Sequence, residues 1–116
     1  MILRDVINQL GLEILVESSH LDERVRGGYT SDLLSDVIGR AREGEIWITL
    51  QTHQNVVAVA KLKEIAGIII VGGRRPEPET LEKAGKENVT ILRTDDPAYI
   101  ISGRLFSLLD KDREAD

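Results

Sequence analysis

The hydrophobic positions change period several times along the chain, and each change marks an element. Ile2, Leu3, Val6, Ile7 and Leu10 sit at helical spacing, with Gly11 placed to end that helix in the left-handed region. Leu12 to Val16 reads as a strand and Ser18 to Arg24 as a polar connection. Val25 to Thr30 reads as a second short strand carrying a glycine pair. How these two early strands pair is open at this level. Thr30 or Ser31 is positioned to cap the next helix, with Asp32 in its first turn. Leu33, Leu34, Val37, Ile38 and Ala41 form the core-facing set of that helix, and Gly44 stops it.

Ile46 to Leu50 then has the β-branched and aromatic bias of a strand. A polar crossing follows at Gln51-Thr52-His53-Gln54-Asn55, and Gln54 to Ala66 is apolar over a length that suits a helix. Gly67 is expected to turn the chain into Ile68-Ile69-Ile70-Val71, whose lack of alternation marks a strand covered on both faces. After a turn from Gly72 to Pro78, Glu79 to Asn88 is a weak surface helix supported by Leu81 and Ala84. Val89 to Leu92 is the next strand, and Asp96-Pro97 starts a helix with Asp96 at N-cap and Pro97 at N1. Tyr99, Ile100, Ile101, Leu105, Phe106, Leu108 and Leu109 give this last helix its apolar face. The charged tail from Asp110 to Asp116 is expected to fray.

Strands starting at Ile46, Ile68 and Val89 keep the even tempo of strand–helix units laid side by side. Right-handed crossovers then put helices on both faces of a mainly parallel sheet. The expected fold is three-layer α/β/α, with one domain over residues 1–110 and a charged tail at 111–116.

Composition narrows the function. A formal charge of −5 with 3% aromatic residues lacks both the phosphate-neutralising surface and the stacking platforms of a nucleic-acid binder. The absence of cysteine removes disulfides, thiolate catalysis and cysteine-based metal sites. Only His20 and His53 remain as imidazole ligands, and they are far apart in sequence, so neither a metal nor another cofactor is implied. No apolar run approaches the ~20 residues of a membrane span, and Met1-Ile2-Leu3-Arg4-Asp5 lacks a signal-peptide layout. A cytoplasmic protein is expected.

In open parallel sheets, ligands gather beyond the carboxyl ends of the strands. Three turns belong there: Gln51-Thr52-His53, Gly72-Gly73-Arg74-Arg75 and Thr94-Asp95-Asp96. A fourth polar turn, Gly27 to Asp32, precedes the adjoining helix. Helix N-termini, glycines and two arginines together describe an anion or phosphate site, although neither GxxxxGK[ST] nor GxGxxG is present. The candidate contacts are Ser31, Asp32, Gln51, Thr52, His53, Gly72, Gly73, Arg74, Thr94 and Asp95. Each has a plainer reading: Gly72-Gly73 as a strand exit needing positive φ, His53 and the aspartates as caps, the arginines as solvated charges. Trp47 reads as core or interface. Tyr29, beside two glycines, is a candidate to touch a ligand or a second subunit.

Gly27-Gly28-Tyr29-Thr30-Ser31-Asp32-Leu33-Leu34-Ser35-Asp36-Val37, Ile46 to His53 and Ile68 to Arg74 resemble, in order and spacing, the DRTGG domain family. The resemblance spans roughly Leu3 to Leu109 and implies a free-standing copy. It also implies a fold like the N-terminal domain of HPr kinase, and a module found between CBS domains of regulated pyrophosphatases or ahead of the catalytic part of some phosphotransacetylases. There it is a regulatory, dimer-forming part rather than the catalyst, and it supplies no catalytic residues to carry over. The expectation is therefore a non-catalytic regulatory module sensing a nucleotide or phosphorylated metabolite. It is expected to be a homodimer, with Gly27-Gly28-Tyr29 and the apolar C-terminal helix at the interface, and to act through a separate protein partner. A purely structural interaction module and a phosphotransfer enzyme using His53 are the alternatives.

Overall fold

A computed structural model describes residues 1–115, the last in backbone only. In chain order the elements are α1 (Leu3–Leu10), β1 (Glu13–Val16), β2 (Gly27–Thr30), α2 (Leu34–Arg40) and β3 (Glu45–Thr49). They continue with α3 (Asn55–Lys63), β4 (Gly67–Ile70), α4 (Pro78–Glu87), β5 (Ile91–Arg93) and α5 (Ala98–Ala115). The strands form one sheet in the order β1-β5-β4-β3-β2. β2 to β5 run parallel, and β1 closes the far edge antiparallel to β5. The early strands thus end up at opposite edges and never pair with each other.

The two faces of the sheet are sorted by residue parity. Ile46, Ile48, Ile69, Val71 and Leu92 pack under α1 and α5, against Leu3, Val6, Ile7, Leu10, Ile101 and Leu105. Trp47, Ile68, Ile70 and Ile91 face α2, α3 and α4, against Val37, Val56, Val57, Ala60 and Ala84. The unbroken apolar run of β4 is the consequence of burial on both sides. Trp47 is core, with its indole N–H donating to the Ser31 carbonyl at 2.8 Å. Among the described residues no helix is long and apolar enough to cross a membrane.

Four local expectations are corrected. α2 begins at Leu34 rather than at a Ser31 or Thr30 cap, and Leu33 and Ile38 are 64% and 42% exposed, leaving Val37 as its buried residue. Asp32 is drawn away to the end of β3, so the helix starts later and presents a narrower face. Gly67 is not a turn residue: it lies inside β4 facing Leu3 and Thr90, and Glu64 in the left-handed region makes the reversal. α5 starts at Ala98, with the Pro97 carbonyl accepting from the Ile101 N–H, one residue later than an Asp96 cap requires. α5 also continues past Asp110 to Ala115. The Met1 ammonium binds Asp112 at 2.7 Å, and Asp110 pairs with Arg113, which fastens those last turns; Asp116 lies outside the described residues.

Candidate functional site

Because β2 to β5 are parallel, the turns leaving all four meet along one edge. Ser31 and Asp32 follow β2, Gln51 to His53 follow β3, Gly72 to Arg74 follow β4, and Thr94 and Asp95 follow β5. Every candidate ligand contact is therefore brought to the same edge, including those of the fourth turn.

Most polar groups there are committed to one another. Asp32 Oδ1 accepts from the Leu50 N–H at 2.7 Å and the Thr49 hydroxyl at 2.9 Å, and Gln51 Nε2 donates back to the Asp32 carbonyl. Ser31 Oγ accepts from the Leu33 N–H. The Thr52 carbonyl accepts from the Glu77 N–H and, at 2.7 Å, from the Thr80 hydroxyl, which ties the β3 turn to the start of α4.

Gly72 and Gly73 have φ of 70° and 73°, a conformation that disfavours any side chain, so the strand-exit reading holds. Their N–H groups are not free for an anion. Gly72 donates to the Asp96 carbonyl at 2.8 Å and Gly73 to the Thr94 carbonyl at 3.1 Å. Two successive left-handed residues curl the backbone towards β5, where those carbonyls need donors.

Arg93 is the residue that sequence reasoning passed over. Its side chain is only 14% exposed. Its guanidinium donates to the carbonyls of Gly73 and Arg74 and to the carboxylates of Asp95 (2.8 Å) and Glu13 (3.2 Å). The one signal was a charged residue closing the apolar run Ile91-Leu92, at the point where the strand meets the polar edge.

Three side chains are left over. Arg74 is exposed and makes no side-chain hydrogen bond or ion pair among the described residues, whereas Arg75 lies 3.8 Å from Glu13. His53 is exposed, its Nδ1 accepting from the Asn55 N–H at 3.1 Å, a cap for α3. The Thr52 hydroxyl is half-buried and makes no hydrogen bond among the described residues.

The interface candidates are used within the chain. A β-carbon on Gly28 would stand 2.8 Å from Leu105 Cδ2, so this glycine lets α5 close on β2. One on Gly27 would meet Glu45 Oε2 at 3.3 Å. The Tyr29 hydroxyl donates to Asp36 Oδ2 at 2.7 Å, and that bond is the main cause of a raised phenol pKa and a lowered carboxyl pKa. An open groove of about 860 Å³ runs along α5, lined also by Gly28, Thr30 and Ile48.

The family model of the DRTGG domain matches residues 5–108. The chain belongs to the DRTGG domain family. Among solved structures, this DRTGG domain is similar to the CBS and DRTGG domains of the regulatory region of Clostridium perfringens pyrophosphatase, complexed with the activator diadenosine tetraphosphate. The TM-score is 0.71 at 21% identity, over 89% of this chain and 44% of that one. The comparison with curated proteins gave no match. Chemically, this DRTGG edge offers an anion the Arg74 guanidinium and the Thr52 and His53 side chains, whereas the first N–H groups of α3 are taken by His53 and Gln54. Among the described residues His53 has no orienting side-chain partner; its Nδ1 accepts from its own helix start.

Proposed function

We propose that the chain is a non-catalytic regulatory module that takes a phosphate-bearing ligand of the nucleotide class at the carboxyl edge and acts by self-association. The observation that carries this reading is the braced turn under Arg74. Arg93 holds the carbonyls of Gly73 and Arg74, so an exposed guanidinium is presented on backbone that needs no ordering when an anion arrives. Thr52 and His53 stand at the neighbouring turn as further contacts. Membership of a family whose solved relative lies in a regulatory region, in a complex with a dinucleoside polyphosphate, supports the ligand class.

A second reading, a structural interaction module without a small ligand, draws on the committed N–H groups of Gly72 and Gly73. Thermal unfolding against mononucleotides, dinucleoside polyphosphates and inorganic phosphate separates the two. A ligand at 100 times its dissociation constant stabilises the native state by about 2.7 kcal/mol. Arg74→Ala is expected to weaken binding roughly 10- to 100-fold with folding intact, the worth of a charge-assisted hydrogen bond. No midpoint shift with any ligand moves the conclusion to the structural module.

A further inference from the structure

We propose that the open flank of β2 takes an extended segment of another protein as a sixth strand, with a carboxylate at the end beside Arg24 and Arg26. This surface differs from the carboxyl-edge ligand site, and the proposal stands without it. β1 and β2 are the two outermost strands of the sheet, and they are finished differently. β1 has a register shift between Ile14 and Val16, and its Glu13 is paired with Arg75 and Arg93. Irregular register and fixed charge are what keep an outer strand from pairing with another chain. β2 has neither. Gly27-Gly28-Tyr29-Thr30 contains no charge and no proline, and its register with β3 is unbroken along its length. The Ser31 N–H donates to the Ile48 carbonyl, so the two-residue repeat turns Gly27 and Tyr29 to β3. The N–H and carbonyl groups of Gly28 and Thr30 therefore point outward, and both residues are exposed. A row of outward backbone donors and acceptors selects extended backbone as its partner.

Side chains beside the flank narrow the partner further. On one face, exposed Phe106 lines a cleft with Arg24, Arg26 and Gly27 at the head of β2. On the other, the half-buried Tyr29 ring is held by its hydroxyl on Asp36. An added strand that alternates its side chains between the two faces lays one set on each ring. In the cleft, Asp112 is taken by the Met1 ammonium and Arg113 by Asp110. Arg24 and Arg26 make no ion pair among the described residues, on a chain whose net charge is −5. Arg26 lays its stem across Gly44, where a β-carbon would stand 2.8 Å from its Cδ. Two guanidiniums at one end of the flank call for a carboxylate there. A second copy of β2 fits poorly, because it brings two glycines where covering side chains are needed.

The probe is a phage-displayed library of random short peptides, panned on the native chain. Enriched peptides are expected to carry carboxylates at one end and β-branched or aromatic residues at alternate positions. In complex with a selected peptide, the Gly28 and Thr30 amides are expected to become protected from hydrogen exchange. Thr30→Pro removes an outward donor while leaving the β3 ladder its bonds, and is expected to abolish binding. Phe106→Asp, at an exposed position, is expected to do the same with unchanged circular dichroism. Arg24→Glu is expected to weaken binding roughly 10-fold, the worth of a charge-assisted hydrogen bond. No enrichment, selected peptides without a carboxylate, binding that survives Phe106→Asp, or protection that spares Gly28 and Thr30 overturns the proposal. So does concentration-dependent protection of those two amides in the native chain alone, which places a second copy on the flank.

Discussion

The carboxyl edge of the sheet and the outward face of α5 are finished to different degrees. At the edge, turn after turn is closed by its neighbour: Asp32 on the end of β3, Thr52 on the start of α4, Gly72 and Gly73 on the β5–α5 turn, Arg93 across the last two. Little is left over but Arg74, Thr52 and His53. On α5 the inner face is packed against β2 tightly enough to need Gly28, while the outer face exposes two aromatic rings around an unexplained glycine. Polar groups near a sheet edge must find partners at once, because an unpaired buried donor or acceptor costs about 1–3 kcal/mol. Exposed apolar surface carries no such urgency and can remain open for a second molecule. The difference leaves a braced polar edge on one side of the molecule and an exposed apolar helix face on the other.

The largest blow to this contrast is Arg93→Ala, which strips donors from two carbonyls and two carboxylates at once. A loss of about 2–3 kcal/mol is expected, measured by urea unfolding, with faster amide exchange confined to the 72–75 turn. Unchanged exchange there would mean that the edge is not braced by Arg93.

The two α5 glycine contacts sharpen the contrast with opposite signs. Gly28→Val forces a β-carbon onto Leu105 and is expected to cost about 1–3 kcal/mol. Gly103→Ala meets open space and is expected to stabilise the monomer by about 0.5–1 kcal/mol. Equal effects would erase the distinction between the inner and outer faces.

The smallest effect concerns Tyr29 and Asp36. The phenol's pKa is raised in the fold, so its contribution is full below the unfolded tyrosine value near 10 and disappears as pH rises through the folded one. The Asp36 carboxyl is lowered, so its contribution is present above about 3.9 and is lost as pH falls through the folded value. Tyr29→Phe is expected to flatten the alkaline flank of the stability profile and to shrink the acid flank, where Ser31 and Arg40 still favour the charged carboxyl. Denaturation midpoints across pH check this; identical profiles would show that the bond contributes nothing.

The sequence by itself determined the order of the elements, the parallel core and the edge to examine. These depend on short-range chemistry: the unalternating Ile68 to Val71, the periodic Val6, Ile7 and Leu10, and the Asp96-Pro97 pair just ahead of the last helix. It also placed the turns after β3, β4 and β5 at one edge, since residues following parallel strands must gather there; the parallel pairing of β2 with β3 added Ser31 and Asp32. Only the tertiary structure decided which of them remain available. Whether the Gly72 and Gly73 N–H groups are free depends on carbonyls more than twenty residues away, at Thr94 and Asp96. Asp32 was legible as a helix-start acid, yet it bonds Leu50, and the start of α2 moved accordingly. Arg93 looked like the end of a strand until four acceptors from three segments converged on it. Hydrogen bonds between distant segments leave no periodic trace in sequence, because any polar residue at the right place in space satisfies them.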